Sequence, residues 1–168
     1  MSSPNFFLTV LQHTPTWVWA LLVALLALGG SQAVARTVTL RRARLLPLSM
    51  CALSLWGVAA VFGTAAALAA WAIGGVLTTL WVQRSASAGG ARWSAATQTF
   101  RLPGSWVPLA LILGIFGVKF GVGMNLALHP ELRQSALFAL GASLAYGVFS
   151  GIFAGRALVL WRLTQAAR

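Results

Sequence analysis

The sequence predicts an all-α integral membrane protein, and three observations lead to that prediction. Hydrophobic residues make up 59% of the 168 residues, whereas charged residues make up only 8%. A soluble domain carries about a quarter charged residues, and a soluble fold of this length could not bury so much apolar surface. The apolar residues also fall into runs of about 20, the length a helix needs to cross a bilayer. We therefore expect a single five-helix transmembrane domain over residues 1–168.

The first apolar run predicts a helix over about residues 16–34. Thr14 and Pro15 precede it and suit a helix start, as capping and first-turn residues. Trp17 and Trp19 suit the level of the lipid headgroups. The run ends in Ala-Val-Ala, which is typical of a signal-peptide cleavage site. However, no Lys or Arg precedes the run, so the positive region of a signal peptide is missing.

The second apolar stretch is long enough for two helices joined by a tight turn. We place these helices near residues 45–62 and 65–83, with Gly63 supplying the backbone freedom for the turn. A fourth helix is predicted near 105–128, where Pro103 and Pro108 fit its start. A fifth is predicted near 134–163, long enough to tilt or to extend beyond the lipid.

The arginines predict how the chain threads through the membrane. Ten of them fall on one side of the five predicted spans and only Arg133 falls on the other. Cationic loops stay in the cytoplasm, so we expect the N-terminus outside and the C-terminus inside. Residues 84–102 are small and polar and predict a flexible cytoplasmic loop. We expect the ten arginines to hold anionic lipid headgroups there; they are Arg36, Arg41, Arg42, Arg44, Arg84, Arg92, Arg101, Arg156, Arg162 and Arg168.

Lys119 is the main candidate functional residue, because it lies near the middle of the fourth predicted helix. Charging a lysine at this depth costs at least about 2.5–3.5 kcal/mol, and an ionisable group there marks function by default. The only acid of the chain, Glu131, lies outside the predicted spans and is too far away to pair with it. Three arrangements remain open. In the first, the lysine stays neutral. In the second, it faces a water-filled cavity and attracts an anion. In the third, it donates hydrogen bonds to backbone carbonyls and holds helices together.

Tyr146 is predicted at a similar depth in the fifth helix. Its hydroxyl could accept a hydrogen bond from an ammonium group, so a Lys119–Tyr146 pair is expected. Asn125, Ser143 and Ser150 are the other candidate polar lining of a substrate path. The alternative for Tyr146 is a hydroxyl satisfied by a backbone carbonyl.

Glycines spaced four residues apart predict close helix packing. Gly117 and Gly121 lie in the fourth helix, and Gly147, Gly151 and Gly155 lie in the fifth. Such faces let helix backbones approach closely in lipid. The contact is expected between these two helices or between protomers, and it favours a homodimer. Room for a substrate beside small residues is the alternative.

Other chemistries find little support. With one acid and no Asp, catalytic triads and paired carboxylates lack their parts, so we expect no enzyme. No domain could bind nucleic acid. Cys51 is expected to be a small apolar filler. His13 and His129 fall on the same side of the predicted membrane spans, so two imidazoles could bind haem or copper there. This is a distant alternative, and no metal or cofactor is predicted.

The chain resembles a family of small proteobacterial inner-membrane proteins of unknown function. The resemblance covers nearly the whole chain and rests on "HTPTW" before the first helix and on the "PGSW" and lysine pattern of the fourth. It implies a multi-span protein of the bacterial inner membrane, and it implies no activity. The matching positions are His13, Pro15, Trp17, Pro103, Trp106 and Lys119.

Two functions follow as expectations. The first is transport of a small anion or a proton-coupled solute, with Lys119 as the charge at the membrane midplane. The second is a non-catalytic accessory or scaffold subunit of a membrane complex. Solvent access to Lys119 distinguishes them, since a cavity at the lysine favours transport and dry packing favours the scaffold.

Overall fold

The computed structural model describes residues 15–85 and 89–166, and they form a mostly helical protein. The helices are α1 (Thr16–Gly30), α2 (Leu40–Val61), α3 (Ala65–Ser85), α4 (Val107–Leu128) and α5 (Ala136–Ala166). Short 3₁₀ helices follow α1 at Ser31–Ala33 and α4 at Pro130–Gln134. The strands are β1 (Arg36–Thr39), β2 (Arg92–Ser94) and β3 (Thr99–Leu102).

Four of the helices, α2 to α5, are long and apolar enough to cross a membrane by length and composition. The prediction of membrane-type helices is therefore confirmed for these four. α1 is shorter than predicted, because the α-helical geometry ends at Gly30 and changes to a 3₁₀ turn. At 1.5 Å per residue, its α-helical part spans about 22 Å, less than the hydrocarbon thickness of about 30 Å.

The turn between α2 and α3 forms where the sequence predicts it. Gly63 has a φ of 60°, which few residues other than glycine adopt readily. Its backbone N–H donates to the Val58 carbonyl at 3.3 Å, which closes the end of α2. The Thr64 hydroxyl then accepts from the Ala67 N–H at 3.2 Å and caps the start of α3.

The starts of α2 and α5 also differ from the prediction. α2 begins at Leu40, because the Thr39 hydroxyl caps it and the arginine-containing segment continues the helix. Pro47 consequently lies inside α2 rather than near its start. α5 begins at Ala136 instead of residue 134, because the intervening residues form the 3₁₀ helix Pro130–Gln134.

A small antiparallel sheet replaces the loop structure expected at 84–102. β3 lies in the centre, with β1 and β2 on its two sides. Val38 and Trp93 pair with Phe100, which is 1% exposed, while Arg92 and Thr37 pair with Arg101 on the other face. The alternation gives the sheet one buried face and one exposed face, so the strict all-α prediction was wrong for this segment. Residues 86–88 lie outside the described residues.

The sheet gathers the arginine-rich segments at one end of the molecule. The Arg162 side chain of α5 donates to the Gln83 side chain of α3 at 2.5 Å. The Arg44 guanidinium of α2 lies 4.7 Å from the centre of the Trp161 ring of α5. α5 has 31 residues and is about 46 Å long, which exceeds the bilayer core. α5 therefore extends to the arginine-rich end of the molecule, as its predicted length allows.

Candidate functional site

Lys119 lies on α4, about 18 Å from the first residue of that helix and about 14 Å from the last. Lys119 therefore lies near the middle of α4, where residue counting along the helix predicts it. The side chain is exposed on the surface of the chain. It is therefore neither enclosed in a cavity nor buried in dry packing.

Tyr146 of α5 is the residue that the structure places beside Lys119. The lysine Nζ lies 6.0 Å from the centre of the half-buried Tyr146 ring. This is the outer limit of a cation–π interaction, so the ring attracts the ammonium group weakly. The two residues expected to pair therefore lie near each other. However, the lysine faces the ring, whereas the sequence suggested a hydrogen bond to the hydroxyl group.

Asn125 does not join this pair. Its side-chain amide donates to the Gly121 carbonyl at 2.7 Å, within the same helix. At about 100° per residue, the Asn125 position is rotated about 120° away from Lys119 around α4. Asn125 and Lys119 therefore point to different sides of the helix.

Ser143 and Ser150 also lie elsewhere, in the contact between α5 and its neighbours. Both are buried, with exposed fractions of 0% and 6%. The Ser150 hydroxyl donates to the Tyr146 carbonyl at 2.9 Å, while the Ser143 hydroxyl has no hydrogen-bond partner among the described residues. The prediction that these hydroxyl groups line one path with Lys119 gains no support from this arrangement.

The α5 glycines form the closest helix contact, and their partner is α3. A Cβ atom on Gly151 would lie 2.8 Å from the Thr78 Cβ, and one on Gly155 would lie 2.7 Å from the Val82 Cβ. Gly147 faces the Trp71 carbonyl even more closely. Close packing at these positions is confirmed. The neighbour at this face is α3 of the same chain, whereas the sequence suggested α4 or a second protomer.

The α4 glycines behave differently. A Cβ atom on Gly117 or Gly121 would meet nothing within 4 Å. These residues therefore make no close helix contact within the described chain. Gly114 is the α4 glycine that packs, with a built Cβ 2.8 Å from the Phe149 ring of α5.

Ser54 and Trp71, which were not among the predicted site residues, join the packed helices α2, α3 and α5. The Trp71 indole N–H of α3 donates to the Ser54 hydroxyl of α2 at 3.0 Å. The Ser54 hydroxyl in turn donates to the Tyr146 carbonyl of α5 at 3.3 Å. The Cys51 thiol lies 3.6 Å from the Ser150 carbonyl, so it is more than an apolar filler. Serines within apolar runs were the available signal, but they do not reveal which helix they contact.

Only one of the two histidines considered for haem or copper binding lies among the described residues. No group of three or more His, Cys, Asp or Glu among the residues of 15–85 and 89–166 could hold a metal ion. His129 instead pairs with Glu131, at 3.0 Å between its Nδ1 and the carboxylate. The second histidine of the expectation, His13, lies outside the described residues.

The model of a family of unknown function matches residues 1–168, and this match identifies the family of the chain. The chain belongs to the DUF6622 family. This confirms the resemblance to an uncharacterised family and assigns no activity. No curated protein and no solved structure matches the chain. The functional hypothesis for this family member therefore rests on the arrangement around Lys119.

Proposed function

We propose that this protein is a non-catalytic accessory subunit of a membrane complex, and that it binds a partner helix through Lys119. The partner would carry an Asp or Glu carboxylate at the depth of the lysine. The exposure of Lys119 in the middle of an apolar helix is the observation that carries the proposal.

The electrostatic balance of the chain supports a partner. An ammonium group at this depth is costly unless an opposite charge or water compensates it. The Tyr146 ring at 6.0 Å supplies only weak attraction. The single acid of the chain, Glu131, follows α4 in the 3₁₀ helix and pairs with His129. Under this proposal, the carboxylate that pairs with Lys119 comes from another molecule.

A second copy of this chain fits the same surface poorly. It would bring another lysine and no additional intramembrane carboxylate, and like charges at low dielectric repel strongly. The α5 glycines, which favoured a homodimer in the sequence, are occupied by α3 of the same chain. We therefore favour a different protein as the partner over a homodimer.

The proposed setting is the bacterial inner membrane. The arginines of β1, β2, β3 and the C-terminal half of α5 lie at one end of the described structure, which suits the cytoplasmic side. With that orientation the N-terminus is outside and α1 is the fifth span, completed by the adjoining 3₁₀ turn.

Transport of a small anion or proton-coupled solute is the second candidate. The proximity of Lys119 and Tyr146 favours it, because the pair could bind an anion. We rank it second because Asn125, Ser143 and Ser150 make their contacts elsewhere. A path along Lys119 would also be open to lipid on one side.

The test is site-specific photocrosslinking in native membranes. A crosslinking residue at Gly123 lies about 40° from Lys119 around α4, whereas one at Gly117 lies on the opposite side of the helix. A Cβ atom built on either glycine would meet nothing within 4 Å, so both positions accept the probe. We expect a crosslink to another membrane protein from Gly123 and not from Gly117.

Two variants make the result specific. Lys119→Met should abolish the crosslink and Lys119→Arg should retain it. Neutralising an intramembrane Asp or Glu of the captured protein should also abolish it. A crosslink that survives Lys119→Met, or that captures only a second copy, would refute the proposal. Anion flux into proteoliposomes that depends on Lys119 would establish transport instead.

A further inference from the structure

Two arginines lie side by side on the exposed face of the sheet. Arg92 of β2 and Arg101 of β3 are direct partners in the antiparallel register, so both side chains lie on the same face. Like charges directly opposite each other on a sheet destabilise it. Only Thr37 of β1, an uncharged residue, completes this row.

A small cavity of about 230 Å³ opens between these arginines. It lies at the end of the sheet where β1 and β2 begin and β3 ends. Ala35, Gly90, Leu102 and Pro103 form its other walls, so the arginines are its only charged lining. The volume suits a small anionic group better than a large ligand.

The surroundings add positive charge and supply no carboxylate. On the other face of the sheet, burial and the charge of nearby Arg156 lower the pKa of Arg36. The single acid of the chain, Glu131, follows α4, whereas the sheet precedes that helix. Among residues 15–85 and 89–166, no carboxylate side chain therefore neutralises Arg92 and Arg101 locally, and the sheet would gain stability from an external anion.

We propose that the Arg92–Arg101 cavity binds a phosphate group. The planar fork of an arginine matches the oxygens of a phosphate in bidentate geometry, and two forks can hold one group from two sides. The group could be the phosphate of a phospholipid headgroup, since the sheet adjoins the ends of membrane-type helices. It could equally belong to a soluble phosphate compound.

The experiment measures phosphatidylglycerol binding to the purified full-length chain in uncharged detergent at about 0.15 M salt, where long-range attraction is screened. Native mass spectrometry counts the lipids bound. The variant is Arg92→Gln/Arg101→Gln. The matched control is Arg41→Gln/Arg84→Gln, which removes the same charge from exposed positions at the same end of the helices. Circular dichroism checks that each variant keeps its helix content.

We expect the Arg92/Arg101 variant to bind at least about tenfold more weakly than the control variant, because charge-assisted bidentate bonds are lost. Arg92→Lys/Arg101→Lys should fall between them, since lysine keeps the charge without the fork. Equal weakening in both glutamine variants would overturn the proposal, because it indicates diffuse charge attraction. Unchanged binding in the Arg92/Arg101 variant would overturn it as well.

Competition then separates the two sources of the phosphate. If inorganic phosphate and glycerol 3-phosphate displace the lipid at millimolar concentration, the site takes soluble phosphate compounds. If neither displaces it, the site takes the phospholipid headgroup. The proposal is independent of the Lys119 interface, because the crosslinking at Gly123 and the lipid binding at the sheet fail or succeed separately.

Discussion

The backbone of Gly147 in α5 lies directly against the carbonyl group of Trp71 in α3, with no room for a side chain between them. The next turns of α5 continue the contact through Gly151 and Gly155. In lipid, where helices gain little from the hydrophobic effect, such close van der Waals packing is a main source of association. The α3–α5 pair is therefore the structural centre of the fold.

Gly147→Ala should destabilise the protein. The new methyl group would overlap the Trp71 carbonyl, and overpacking of this kind costs about 1–3 kcal/mol. Gly141→Ala in the same helix is the control, because a Cβ there meets nothing within 4 Å. The control should be neutral or gain up to about 1 kcal/mol from helix propensity. Unfolding in mixed detergent micelles measures both, and an equal effect of the two would contradict the packing argument.

Ser54→Ala should weaken the link between three helices. The Ser54 hydroxyl accepts from the Trp71 indole and donates to the Tyr146 carbonyl, so its loss leaves the indole N–H unpaired. Interhelical hydrogen bonds in membranes contribute about 0.6–1.7 kcal/mol, and we expect a loss in that range. Ser49→Ala serves as the reference, because its exposed hydroxyl bonds only the Leu46 carbonyl of its own helix. Equal losses for the two serines would show that the interhelical bond contributes nothing.

The sequence predicts the helices well because each is an apolar run bounded by identifiable signals. Gly63 marks the α2–α3 turn, and Pro108 lies in the first turn of α4 as expected. Glycine spacing correctly identifies the packed face of α5. It cannot identify the neighbour, because any helix with small residues or a narrow surface can fill that face.

The sheet and the side of α4 that carries Lys119 were beyond sequence reasoning. β1, β2 and β3 have only three or four residues each, too few for a clear alternating pattern, and β1 is far from the others in the chain. The depth of Lys119 follows from residue counting along a helix. Its exposure depends on which neighbours pack around α4, and that is decided by tertiary contacts.

Glu131 should titrate below the usual range of a glutamate. A hydrogen bond between the carboxyl group and the backbone of Glu131 lowers the pKa of this carboxyl group, and the hydrogen bond with the His129 side chain lowers it further. The ionised Glu131 carboxylate then contributes to stability at pH values above the carboxyl pKa of the unfolded chain. It is lost as the pH falls through the lower pKa of the folded chain.

The titration is simple to follow because Glu131 is the only acidic side chain. Carbon-13 labelling of glutamate gives one carboxyl resonance whose shift reports its ionisation. His129→Gln should raise the measured pKa by part of the shift, because the backbone bond remains. A wild-type value at or above that of a model glutamate peptide would show that the pair does not form in solution.

Phe100→Ala should loosen the sheet while leaving the helices in place. Phe100 is 1% exposed and packs against Trp93 with ring centres 4.6 Å apart. Removing a buried phenylalanine costs about 3–5 kcal/mol where the site cannot collapse. A three-stranded sheet of short strands has little else to hold it, so local opening should increase.

Hydrogen exchange of the backbone amides measures this opening directly. The amides of β1, β2 and β3 should exchange faster in Phe100→Ala, while those of α3 and α5 stay protected by their mutual packing. Thr37→Ala is the control, because it shortens an exposed side chain on the opposite face of the same sheet. If Phe100→Ala instead exposed α3 and α5 together with the strands, the sheet would be part of the same cooperative unit as the helices.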